Sequence, residues 1–235
     1  MKEKEKIRYQ IWQLLLEKNI SKAPFHRIPP FKGQGKAAER LRHLLIYQKS
    51  KTIMVPPDEA QKEVRFNALM DGKTLIMATP GLSDGFYILK PKDIPRKFRY
   101  KAIQTYGVKQ YGKRLPTRKN AIGHIDLLIT GAVAVSIDGK RLGKGAGFFD
   151  IEYAILRELG CIDENTPVIA IVHDEQILNT LPKNMADVPI DYIITPSQVI
   201  KVKMPLDKPK RIFWEKLSQK QIHRMRPLWE LSKRK

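Results

Sequence analysis

The chain has 235 residues, 42% of them hydrophobic, and a formal net charge of +20. That apolar content suffices for a real core and excludes disorder as the default, while a single cysteine, Cys161, excludes an internal disulfide and a thiolate metal centre. With no signal-peptide pattern and no apolar run long enough to cross a bilayer, the expectation is a protein of a reducing, cytoplasmic compartment with no membrane partner.

Along residues 3–18, Ile7, Ile11, Trp12, Leu14, Leu15 and Leu16 recur near helical spacing, which predicts a first helix ending before Pro24. Residues 24–35 are a proline- and glycine-rich connection, and a second helix is predicted over 36–48. Residues 52–55 form a short apolar strand stopped by Pro56-Pro57, followed by a helix over 61–70, a stop at Gly72 and a strand over 74–78. Strand, helix, strand at this spacing is the βαβ unit of a parallel sheet. Residues 90–120 hold Pro91, Pro95 and Pro116 and eleven basic residues against one acid, and are expected to be a long excursion outside the core.

The alternation resumes with strands over 125–129 and 132–135, a turn at Asp138-Gly139, a helix over 149–159 and a buried strand over 168–172. A short helix over 175–181 and a last strand over 192–194 complete it. The expected class is α/β, with a mainly parallel sheet sandwiched by helices. After Val202, the residues Trp214, Leu217, Ile222, Leu228, Trp229 and Leu231 are enough for one or two docked helices. The expected organisation is therefore one domain over 1–200 and a basic extension over 201–235.

Residues 1–52, 90–119 and 201–235 carry +9, +10 and +9, which leaves −8 for everything else. A mildly acidic body dressed with basic segments attracts polyanions such as nucleotides, polyglutamylated cofactors or RNA; a solvated Lys/Glu surface gives the same totals.

The most informative stretch runs from Gly139 to Asp150, between a predicted strand and a predicted helix. Gly143, Gly145 and Gly147 at alternate positions let the backbone approach a bulky anion, and the next helix N-terminus offers N–H groups to phosphate oxygens. Arg141 and Lys144 add charge. Glycines also serve tight turns, and the stretch is neither a Walker A loop nor the dinucleotide fingerprint.

This stretch resembles the signature Arg-x-Gly-x-Gly-x-Gly-aromatic-aromatic-Asp of the 5-formyltetrahydrofolate cyclo-ligases, also called methenyltetrahydrofolate synthetases. Lys4 and Arg8, the run Met54 to Glu59, Ile125 to Gly131, Glu175-Gln176, Leu181-Pro182, Asp187 and Asp191 follow that family's order. The detail is closer to its methenyltetrahydrofolate synthetase domain-containing branch, through Asp150-Ile151-Glu152-Tyr153-Ala154, Val172-His173-Asp174 and His26-Arg27-Ile28-Pro29. Phe148 and Phe149 stand where the ligases usually carry tyrosines.

The resemblance implies a Rossmann-like sheet of the NagB/RpiA/CoA-transferase-like kind and an ATP- and Mg²⁺-dependent ligase acting on 5-formyltetrahydrofolate or a related pterin. It implies that Gly143, Lys144, Gly145, Ala146, Gly147, Phe148 and Phe149 wrap the ATP phosphates, with Arg141, Lys4 and Arg8 adding charge. Asp150 and Asp187 would hold Mg²⁺, and Met54 and Glu59 would contact the folate. From the residues alone, Asp150 reads first as a helix N-cap and Asp187 as a loop aspartate, while Glu59 reads equally as a helix-start acid. The rival is a non-catalytic nucleotide- or RNA-binding protein, with Phe98, Tyr100, Tyr106, Tyr111, Trp214 and Trp229 interleaved among cations for base stacking.

Overall fold

Strand residues alternate between two cores, and this sets the architecture. The computed structural model describes residues 2–121 and 123–234, so Met1, Ile122 and Lys235, including the outer ends of the two expected segments, lie outside the described residues. In chain order the elements are α1 (Lys2–Glu17), α2 (Gln34–Arg42), α3 (Leu45–Lys49), β1 (Thr52–Met54), α4 (Lys62–Met70), β2 (Thr74–Ala78) and β3 (Phe86–Leu89). Then follow α5 (Arg99–Ala102), α6 (Val108–Tyr111), β4 (Lys113–Arg114), β5 (Leu127–Thr130), β6 (Ala134–Ser136), β7 (Arg141–Leu142) and α7 (Phe148–Glu158). The last are β8 (Val168–Ile171), β9 (Ile177–Leu178), β10 (Tyr192–Ile194), β11 (Val199–Lys201), α8 (Gln219–Arg224) and α9 (Arg226–Ser232).

One eight-stranded sheet runs β11-β10-β8-β5-β1-β2-β3-β4, and a small sheet runs β7-β6-β9. The central pairings β10/β8, β8/β5, β5/β1 and β1/β2 are parallel, whereas β11, β3 and β4 join antiparallel at the edges. Ile53, Leu75, Leu127 and Ile169 face one core with Ile11 and Leu15 of α1, Leu41 of α2 and Leu69 of α4. Their neighbours Met54, Ile76, Leu128 and Val168 face the other with Phe149, Tyr153 and Leu156 of α7 and Ile222, Leu228 and Leu231 of α8 and α9. Central strands buried on both faces need helices on both sides, so the period-two apolar runs of the sequence become the middle layer of a three-layer α/β fold.

Three expectations are corrected. The helix over 36–48 breaks at Leu44, which is extended (ψ 132°); the break turns Tyr47 into the core, where its hydroxyl donates to Asp71 Oδ2 at 2.8 Å. The helix over 175–181 is instead a single 3₁₀ turn, Asp174–Gln176, followed by β9. Gln176 is used up there: its Oε1 accepts from His173 N at 2.7 Å and its Nε2 donates to Ala132 O at 2.7 Å, which pulls the chain into pairing with β6.

The third correction concerns residues 90–120, which do not lie outside the core. Ile94, Ala102, Ile103, Val108 and Leu115 are buried, and β4 extends the sheet through β3, a strand the sequence reading left unassigned. Much of the positive charge here is structural. Arg99 donates to the carbonyls of Leu69 (2.9 Å) and Pro91 (3.0 Å), and Phe98 stacks on Tyr111 with centroids 5.7 Å apart.

Candidate functional site

From β1 the chain steps to β2 on one side of the sheet, and from β5 to β8 and β10 on the other, so the winding reverses between β1 and β5. In open parallel sheets that reversal leaves a crevice beyond the carboxyl ends of the strands, because the flanking connections diverge there. A cleft of about 470 Å³ occupies this position. Pro56, Pro57 and Asp58 after β1, Thr79, Pro80 and Gly81 after β2, and Thr130 with Gly131 at the end of β5 form part of its wall. The glycine loop between β7 and α7 closes it, and α1 brings Lys4, Glu5 and Arg8.

Of the residues singled out in the sequence, Lys4, Arg8, Arg141, Gly143, Lys144, Gly145, Gly147, Phe148, Phe149, Asp150 and Asp187 line this single cleft. Ala146 is exposed and absent from the lining. Met54 and Glu59, expected to contact the folate, do not line the cleft: Met54 is fully buried in the core beneath, because β1 alternation turns it to that face, and Glu59 is exposed and paired with Lys62 at 3.2 Å. The acid that this turn does present to the cleft is Asp58.

The loop suits an anion for local reasons. Gly147 caps α7 in the left-handed region (φ 66°, ψ 17°) and no side chain caps the helix, so the N–H groups of its first turn remain available. A Cβ on Gly145 (φ 113°) would meet the Arg8 guanidinium at 3.6 Å, while one on Gly147 would stand in open space. Arg8 is fixed by donating Nε to Gly143 O at 2.7 Å, and Arg141 lies 4.8 Å from the Phe149 ring centroid.

Each cation of the cleft is paired with an acid: Lys4 with Asp187, Arg8 with Glu5, Arg141 with Asp150, and Lys144 Nζ with Asp58 Oδ1 at 3.0 Å. Asp150 Oδ1 also accepts from Val188 N at 2.9 Å, which sets Asp150 beside the residue that follows Asp187. Among the described residues no three His, Cys, Asp or Glu side chains are grouped to hold a metal. Two cleft-lining carboxylates therefore fit a hard cation that keeps phosphate oxygens and waters in its shell, as Mg²⁺ does, and do not fit an all-protein cage.

Sequence reading gave no role to Glu152, although the motif around it was noted. One turn into α7, it lines the cleft floor, is only 4% exposed, and its Oε2 has no hydrogen-bond partner. Burial pushes its carboxyl up to about 8, the nearby charge of Asp58 adds to the rise, and Arg141 and Lys144 oppose it. His173 and Asp174 are structural. His173 Nδ1 accepts from Glu175 N at 3.2 Å, its burial holds it below the usual histidine range, and Asp174 is held by Thr195, Ser197 and Gln198.

The sequence model of the 5-formyltetrahydrofolate cyclo-ligase family matches residues 1–196. A methenyltetrahydrofolate synthase domain-containing protein of Bos taurus is 36% identical over 230 residues, covering 94% of this chain and 60% of that protein. Its Mus musculus counterpart is 36% identical over 239 residues, covering 98% and 63% respectively. The chain thus spans about three-fifths of the length of these relatives. Among solved structures, the Aquifex aeolicus 5,10-methenyltetrahydrofolate synthetase superposes with a TM-score of 0.53 at 16% identity, covering 86% of this chain and 92% of that one, which supports the fold. With the family matched across most of its length, the chain belongs to the 5-formyltetrahydrofolate cyclo-ligase family.

Proposed function

We propose that this chain converts 5-formyltetrahydrofolate to 5,10-methenyltetrahydrofolate with ATP and Mg²⁺, releasing ADP and phosphate. The observation that carries the reading is the convergence of the uncapped α7 N-terminus, the glycine loop and four cations on the cleft at the β1/β5 reversal. In this chemistry the formyl oxygen takes the γ-phosphoryl group, N10 captures the activated carbon, and the oxygen leaves as phosphate. The protein needs no covalent nucleophile for this, only placement and charge neutralisation. Arg8, Lys144 and the loop amides would hold the phosphates, Arg141 would balance developing charge from beneath, and Asp150 with Asp187 would hold Mg²⁺, whose part is to draw charge off the phosphoryl oxygens.

Phosphate release and methenyl product should appear only when ATP, Mg²⁺ and 5-formyltetrahydrofolate are all supplied. Tight Mg·ATP binding with no substrate-dependent phosphate release would replace the ligase by a nucleotide-binding protein on the same scaffold. A role in RNA binding has less support, since Phe98 and Tyr111 stack on each other and Tyr100 packs edge-on against Phe66.

The loop reading has its own test at Gly143. Its φ is not in the left-handed region, and an added Cβ would press only on the Arg141 guanidinium tip at 3.1 Å, so a side chain here obstructs the cleft without straining the backbone. Gly143→Val is expected to keep the melting temperature within a few degrees while weakening Mg·ATP at least about 30-fold by calorimetry, the loss of roughly 2 kcal/mol of phosphate contact. Gly145→Val and Gly147→Val should also abolish binding, but their positive φ adds a strain of about 1–2 kcal/mol to the folded state. Unchanged affinity in folded Gly143→Val protein would remove the phosphate cradle.

A further inference from the structure

The turn after β2 carries a strained residue and is held from outside. Thr79, Pro80 and Gly81 give the cleft part of its wall, and the next residue, Leu82, sits in the left-handed region (φ 55°) with its side chain fully buried. A leucine is disfavoured in that conformation, so the surrounding contacts must hold the turn there. Within it, Thr79 N donates to Gly85 O at 2.8 Å and Asp84 N to Thr79 Oγ1 at 3.0 Å. From outside it is gripped by the C-terminal extension, which lies beyond the residues 1–196 that the family model matches. Arg226, the first residue of α9, donates to Asp84 Oδ1 at 2.9 Å. A Cβ on Gly85 (φ 84°) would meet the Pro227 ring at 3.0 Å, so α9 is seated directly on the turn.

The same turn reaches the helix behind the glycine loop. A Cβ on Gly81 would stand 3.8 Å from the Phe148 ring, and Phe148 is the first residue of α7, whose N–H groups have no side-chain cap. A run of contacts thus leads from α9 through Asp84, Thr79 and Gly81 to the phosphate cradle. The extension's other approach to α7 is looser, because Ile212, Phe213 and Leu217 line a cavity of about 60 Å³ together with Ile151 and Ala154. Asp84 is the joint of the closer route. It accepts from Tyr87 OH at 2.7 Å and Lys109 Nζ at 3.1 Å as well as from Arg226, whose Nε is fixed by Glu230 Oε1 at 2.8 Å. The Tyr87 hydroxyl above all, with Lys109 and Arg226, holds the Asp84 carboxyl down to about 2, so the pair does not switch over ordinary pH.

We propose that the C-terminal extension is part of the nucleotide site and that Arg226 is a positioning residue: through Asp84 it holds the turn after β2 against Phe148, and so keeps the first turn of α7 set for phosphate. This rests on the phosphate-cradle reading above. The Arg226 side chain is 45% exposed, so its ion pair adds little to global stability. Its effect falls on where the turn stands rather than on whether the chain folds.

Calorimetric titration with Mg·AMP-PNP and urea denaturation, run on the same variants, test this. Arg226→Met should bind the nucleotide about 10-fold more weakly with its urea midpoint unchanged, and Arg226→Lys should recover affinity to within about 3-fold of the unaltered chain. Asp84→Asn should lose at least as much as Arg226→Met, and the double variant no more than Asp84→Asn alone, since the two residues act through one contact. Hydrogen exchange reads the turn without any ligand: the amides of Thr79, Leu82 and Asp84 should exchange about 10-fold faster in Arg226→Met. Affinity within about 2-fold of the unaltered chain in folded Arg226→Met and Asp84→Asn overturns the proposal, and so does unchanged exchange in the turn. A loss of affinity that comes only with a lowered urea midpoint also overturns it, by making Arg226 a residue of the fold alone. Failure of the unaltered chain to bind Mg·AMP-PNP is a different result, and defeats the phosphate cradle and this proposal together.

Discussion

Asp150→Asn should lower turnover of 5-formyltetrahydrofolate by about three orders of magnitude, which corresponds to some 4 kcal/mol of lost charge stabilisation in phosphoryl transfer. The side chain stands in the first turn of α7, where its Oδ1 accepts from both Arg141 and Val188 N. An amide keeps an acceptor there of the same shape, so the helix start and the link to Val188 survive. What disappears is one negative charge, and it disappears from both the proposed Mg²⁺ ligand set and the partner of a guanidinium that is 4% exposed. Leaving that guanidinium without its counter-charge costs stability, so the melting temperature should fall modestly, by a few degrees. The informative readout is the dependence on Mg²⁺ concentration. In the unaltered chain turnover should rise with Mg²⁺ and saturate, whereas in Asp150→Asn saturation should move to at least about 10-fold higher concentration. Turnover within tenfold of the unaltered chain, in folded protein, would take Asp150 out of the metal site and leave it a structural partner of Arg141.

How much of this site could be read beforehand differs from one residue to the next. The glycine loop was legible because alternate glycines between a strand and a helix announce a close backbone approach, and the structure places Gly143, Gly145 and Gly147 on one cleft. Lys4 and Arg8 were carried only by resemblance, since Lys-x-x-x-Arg in a lysine-rich helix says nothing about which face meets the site. Met54 lies outside the cleft lining by strand parity. The turn after β1 does line the cleft, but a shift of one position along a strand exchanges the two faces, and Met54 points into the α7 core. Glu59 lies outside the lining for a related reason: one residue earlier, Asp58 lines the cleft while Glu59 is exposed to solvent.

The fold shows the same division. Strands over 52–55, 74–78, 168–172 and 192–194 were legible as apolar runs because both faces of the sheet are covered. Residues 90–120 were not, because their basic residues sit on elements of two to four residues that have no room for a period, and only tertiary contacts reveal Ile103 and Val108 as core. Charge count alone placed that segment outside, yet Arg99 is spent on the carbonyls of Leu69 and Pro91. A basic total says nothing of where the guanidinium groups end up.

Glu152→Gln is expected to flatten the pH dependence of stability between about pH 5 and pH 8. The Glu152 carboxyl is raised from 4.5 to about 8, first by burial and then by Asp58. Between these values the unfolded chain has released the proton and the folded chain still holds it, so the folded state binds more protons and stability falls as pH rises through the window. Above the folded value the loss is complete, and its size is on the order of 4 kcal/mol for a shift of this kind. An amide cannot ionise, so that fall vanishes in Glu152→Gln. Against this stands the cost of its buried amide finding no partner where Oε2 has none, about 1–3 kcal/mol. The amide cost does not vary with pH and the carboxyl cost does, so the two curves should cross. Glu152→Gln should be the less stable chain near pH 5 and the more stable one near pH 9, measured by urea denaturation of metal-free, nucleotide-free protein in chelator. Glu152→Leu would remove the polar group altogether and should also be flat with pH, which separates ionisation from hydrogen bonding. Parallel curves for the unaltered chain and Glu152→Gln across the window would mean that the carboxyl titrates in the ordinary range, and that water or a neighbouring donor reaches it in the folded protein.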